Sequence, residues 1–127
     1  MLTLIILSIL IFGAFALAFD GVWSVVALRT RSRYASLARV SFLIYFAAGF
    51  VAGSGAQGML GALVAGMLVG AAVSAVDSTL GWWVPAAVGP GQPEPGQSFA
   101  RLVLVALVVV IYGALSGAMG SVLWEVL

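Results

Sequence analysis

Two carboxylates are the residues best placed to do chemistry in this chain. Asp20 lies late in a run that is otherwise apolar or small from Leu2 to Leu28, and Asp77 lies in a similar place in a second run, Gly58 to Val84. An acid inside a segment of that length is costly in lipid and marks an ion pathway, a proton relay or an ion pair. Two carboxylates held close together share a proton, which is the chemistry of a proton or cation site. Arg39 and Arg101, each at the start of another apolar run, can instead reach inward along their stems and pair with either acid. Such a pair would be structural, or would receive an anionic head group. There is a plainer reading as well. Residues 2–19 and 58–76 are each long enough to cross a bilayer, for which about 17 residues suffice. Asp20 and Asp77 would then be hydrated boundary residues, with Asp77-Ser78-Thr79 as a cap.

Little else in the chain can react. It has no His, no Cys and no Lys; all five cationic residues are Arg. A serine without a His or Lys base is a poor nucleophile, so nucleophilic catalysis has no support. No cluster has metal-ligand spacing, and haem would have to rely on Met67 or Met119. Gly89-Pro90-Gly91 lacks the Lys and Ser/Thr that complete a phosphate loop. The expectation is a protein that is not an enzyme and carries no metal or cofactor. Without cysteine, disulfides and thiolate sites are excluded.

The elements that must position these residues are membrane spans. Of the 127 residues, 64% are hydrophobic and 7% charged, against about 25% charged in soluble domains. A soluble fold would need a polar surface that this chain cannot supply. The fold class expected is all-α, an integral membrane bundle of four transmembrane helices forming one domain over residues 1–127. A hydrocarbon core of about 30 Å takes roughly 20 helical residues, which places the spans at about 2–28, 35–52, 58–84 and 99–124. The glycines of Gly53-Ser54-Gly55-Ala56-Gln57-Gly58 break the run between the second and third spans. Residues 85–98, with four prolines, form a loop. A barrel is the other architecture, but Leu102 to Val110 lacks the alternation that membrane strands need. On these spans Asp20 lies about 12 Å along the axis from Leu28, and Asp77 about 10 Å from Val84. The first and third spans run the same way, so the two acids would share a depth.

Arginine gives the orientation. Loops 29–34 and 85–98 fall on one side of a four-span protein, and all five arginines gather there. The positive-inside rule makes that side cytoplasmic and puts both termini outside, in a bacterial inner (plasma) membrane. Arg29, Arg31, Arg33 and Arg39 could also hold anionic lipid head groups; a nucleic-acid partner has only weak support. Tyr34, Trp82, Trp83 and Trp124 stand at span ends, as interfacial aromatics do. Ala16-Leu17-Ala18 has the look of a cleavage site, but no Lys or Arg precedes it, so the first span is expected to be retained.

The clearest pattern is a spacing of four small residues. Gly58, Ala62, Gly66, Gly70 and Ser74 share one face of the third span, and Gly113, Gly117 and Ser121 repeat the rule in the fourth. Gly49 and Gly53 do so in the second. Small faces let two backbones approach closely in lipid. They imply packing within the bundle or between subunits, and hence a homo-oligomer or a subunit of a membrane assembly. Asp20 with Trp23, echoed by Asp77 with Trp82 and Trp83, also raises a tandem repeat of two-helix hairpins. Tyr45 and Tyr112 lie within spans, and each hydroxyl needs a partner when buried.

In size and span count the chain resembles two groups of small bacterial membrane proteins, the small multidrug-resistance exporters and the fluoride channels. The resemblance is one of architecture. The exporters carry an acid in the first helix, as Asp20 is here, but late in its span. The Gly-Gly-Thr-Thr-Phe-Ser type run of the channels is absent. From these readings the leading function is a non-enzymatic membrane protein that packs helices, in contact with the lipid bilayer. The alternative is a small proton- or cation-coupled transporter or channel using Asp20 and Asp77.

Overall fold

The computed structural model describes residues 2–30, 41–81 and 99–127. Those residues form four helices and no strand. Helix α1 is Leu2–Thr30, α2 is Ser41–Gly53, α3 is Gly58–Val76, and α4 is Phe99–Val126. Helix α3 runs on into a π-helical turn at Asp77–Gly81.

Three of the helices contain a stretch long and apolar enough to cross a membrane: Leu2–Trp23, Gly58–Leu80 and Ala100–Val126. The all-helical, apolar chain is therefore compatible with a membrane protein. Helix α2 differs. Its 13 residues rise only about 20 Å, short of a hydrocarbon core of about 30 Å. Residues 35–40 of the expected second span lie outside the described residues, so the described part of that helix does not cross a bilayer alone. The loop expected at 29–34 starts later than its composition implied, because no Gly or Pro interrupts Val22–Thr30 and α1 carries on through Arg29 and Thr30. The rest of that loop, residues 82–84 and the 85–98 loop lie outside the described residues.

Close contacts fix how the helices run. A Cβ added at Gly55, in the connection after α2, would meet the side chain of Leu4, and one added at Gly13 would lie 3.8 Å from Val76. Helices α1 and α3 therefore run the same way. Gly70 lies against Gly113 and Gly66 against Gly117, so α3 and α4 are antiparallel. Gly49 lies against Gly117 and Gly53 against Ser121, so α2 and α4 are parallel. The alternation is that of an up-down-up-down bundle. A side chain added at Gly49, Gly66, Gly70, Gly113, Gly117 or Gly120 would collide with the backbone or the serine of a neighbouring helix. The four-residue spacing thus works inside one chain. Helices α2, α3 and α4 meet backbone to backbone, which only small residues permit. Ala62 and Ser74 are fully buried in the same seam, as is Ser121. Gly58 does not join it. Nothing lies within 4 Å of its added Cβ, and its φ of 75° serves the entry into α3, where only glycine adopts the left-handed region without strain.

Helix α1 is added to this trio, packing on α2, α3 and the π turn. The two halves of the chain are therefore unlike in their packing. Helices α3 and α4 are locked through glycine, whereas α1 and α2 share a groove lined by Phe12, Phe19 and Ile44. The core is small-residue and aliphatic: Ile5, Ala16, Ile44, Ala48, Ala52, Ala65, Val69 and Val73, with one aromatic, Tyr45. Larger apolar side chains point outward, among them Leu10, Ile11, Leu60, Leu104 and Met119. Large residues outside and small ones inside invert the soluble arrangement.

Candidate functional site: a buried acid held by a tyrosine

The buried face of α1 follows helical spacing through Ile5, Ser8, Ile9, Phe12, Gly13, Ala16 and Asp20. Asp20 is the last of these and is 2% exposed. It belongs to the face that packs, although Trp23 and the rest of α1 continue beyond it. Asp77 opens the π turn at the end of α3 and is 5% exposed. Both acids fall inside the long apolar stretches, near their ends.

Asp77 has a partner from another helix. The Tyr45 hydroxyl of α2 donates a hydrogen bond to Asp77 Oδ2. Tyr45 is 1% exposed, so the contact is sealed from outside. Its ring is held edge-on to Phe42, with centroids 5.6 Å apart. Ser41 is buried one turn before Tyr45 on the same face of α2. Asp77 Oδ1 accepts no hydrogen bond among the described residues. A buried tyrosine hydroxyl normally finds a partner, and here the partner lies 32 residues away in sequence.

The local backbone contributes as well. A π turn bonds i to i+5 and disturbs the carbonyl ladder, and such turns gather at functional sites. Here the hydroxyls beside Asp77 cover the carbonyls below the turn. Thr79 Oγ1 donates to Ala75 O at 2.6 Å and to Val76 O at 3.4 Å, and Ser78 Oγ to Ala75 O at 3.4 Å. The Asp77 amide itself bonds back to the carbonyls of Ser74 and Val73, so the acid is fixed to a continuous helix. The Asp77-Ser78-Thr79 triplet extends the helix rather than capping it.

The structure places the other expected residues as follows. Arg101 is exposed in the first turn of α4, and Arg29 is exposed at the end of α1. Arg31, Arg33 and Arg39 lie outside the described residues, as do Tyr34, Trp82 and Trp83. Tyr112 faces outward at 55% exposure, edge-on to Phe42, so its hydroxyl is not a buried group. Two polar atoms escaped the sequence reading. Ser8 Oγ and Trp23 Nε1 are buried and have no hydrogen-bond partner among the described residues. The only signal for Ser8 was a hydroxyl in the middle of an apolar run. Among the described residues no group of three or more His, Cys, Asp or Glu gathers to hold a metal. No family model matches the chain, and no curated protein or solved structure matches it either.

Proposed function

We propose that this is an integral membrane protein of four spans that binds a proton or a small cation at Asp77 and Asp20, and that it acts as a small ion-coupled transporter or channel. The observation that carries this reading is the Tyr45 hydroxyl on a buried Asp77 with one oxygen left open. A carboxylate kept inside an apolar bundle is expensive unless it is used. In this reading the arginine-rich side is cytoplasmic, both termini are outside, and the membrane is a bacterial plasma membrane. Arg29, Arg31, Arg33 and Arg39 meet anionic head groups there.

The competing reading, a helix-packing homo-oligomer or assembly subunit, drew its support from the small-residue faces. Helices α2, α3 and α4 use those faces on one another, so the faces no longer argue for association between chains. The test is flux. The purified protein, reconstituted into vesicles holding a pH-sensitive dye or a cation reporter, should dissipate an imposed gradient faster than empty vesicles. Asp77→Asn should abolish the difference. Tyr45→Phe should slow it about tenfold or more, because a hydrogen bond to a charged group contributes about 1.5–3 kcal/mol. A parent protein no faster than empty vesicles would overturn the transport reading.

A further inference from the structure

We infer that the ion taken up at Asp77 is a proton, added at Oδ1, with Tyr45 as the positioning residue that holds Oδ2. The inference rests on reading this region as an ion site and names the ion. Metal cations held by oxygen need about six ligands or more. Around Asp77 the oxygens are few and already engaged. No group of three or more His, Cys, Asp or Glu gathers among the described residues. Oδ2 accepts from Tyr45. The carbonyls of Ala75 and Val76, next to the π turn, accept from Ser78 and Thr79. What remains is Oδ1, a single buried carboxylate oxygen with no hydrogen bond among the described residues. One carboxylate oxygen suits one proton and is too few donors for a metal cage.

The step balances simply. A proton adds to Oδ1, the carboxylate becomes a neutral carboxyl, and no other bond breaks. Tyr45 still donates to Oδ2, which in the neutral form is the carbonyl oxygen. The titratable and charged groups on the elements packed against the π turn are few. Among the described residues, α2 brings Tyr45 and α1 brings Asp20 on its buried face, while Arg29 at the end of α1 and Arg101 and Tyr112 of α4 are exposed, and Glu125 lies at the far end of α4.

Infrared difference spectroscopy of the protein in lipid vesicles, stepped in pH with sodium, potassium or choline as the sole cation, reads this directly. Acidification protonates the chain's other acids as well, so the Asp77 band is the protonated-carboxyl band isolated by subtracting the spectra of Asp77→Asn. That band should persist in Asp20→Asn and shift in frequency in Tyr45→Phe. It should keep the same midpoint pH in all three cations. A subtraction that leaves no band, or loss of the band when sodium or potassium replaces choline, would overturn the inference. Asp77→Glu, with helicity checked by circular dichroism, should restore a carboxyl band and guards against a variant that fails to fold. Vesicles that pass no ions while the band behaves as stated would count against the transport reading and leave the proton site standing.

Discussion

At the scale of single residues, the Asp77–Tyr45 contact is where chemistry and stability meet. Removing the hydroxyl leaves a buried carboxylate without its donor, and an unsatisfied buried polar group costs about 1–3 kcal/mol. Tyr45→Phe should therefore lower the stability of the detergent-solubilised protein by about that amount, read as an earlier unfolding midpoint on titration with a denaturing detergent. An unchanged midpoint would mean that the hydroxyl adds nothing to the fold. Residue type alone marks Asp20 and Asp77 as the groups worth watching, because intramembrane acids are rare. It does not show that Tyr45 would reach Asp77, since the two belong to different helices. It also makes Asp20 the sharper of the pair, since six apolar residues lie between Val22 and Leu28. The tyrosine contact and the π turn belong to Asp77, which is why the proposal centres on that acid.

At the scale of elements, the seam of small residues decides how tightly the bundle closes. Gly117 lies between Gly49 of α2 and Gly66 and Gly70 of α3, and a larger side chain there runs into the α3 backbone, which a rotamer change cannot relieve. Overpacking of this kind costs about 1–3 kcal/mol and occasionally more. Gly117→Leu should fall at the upper end or beyond, with a large loss of folded protein in thermal unfolding monitored by circular dichroism. Gly61→Ala is the control. Its added Cβ meets only Ala56, at an ordinary 3.7 Å, so it should unfold within about 0.5 kcal/mol of the parent, as changes away from such contacts do. Equal losses in both variants would show that the seam has no special role. The spacing that makes this seam is legible in the sequence for α3 and α4. Its partner assignment is not, because a small face fits another chain as well as another helix of the same chain. The break before α3 is also legible, but Gly58 serves that turn and not the seam.

At the scale of the whole molecule, the proposed orientation predicts which parts of the chain face which side of the membrane. The chain has no cysteine, so single introduced cysteines report topology without interference. Thr3→Cys and Leu127→Cys should react with a membrane-impermeant maleimide in intact cells, while Gln92→Cys should react only after the membrane is opened. Labelling of Gln92→Cys in intact cells would reverse the orientation that the five arginines imply.

Composition and hydropathy by themselves determined that the chain is helical and apolar, because lipid-compatible stretches of about 20 residues leave a helix as the structure that satisfies its own backbone. Small-residue spacing determined which faces could approach closely. The tertiary structure decided the rest. It closed the glycine faces of α2, α3 and α4 on one another and turned Asp77 onto Tyr45. Those outcomes depend on which face of each helix meets which neighbour. That is set by the sum of many weak contacts across the bundle, a sum that no single stretch of sequence contains.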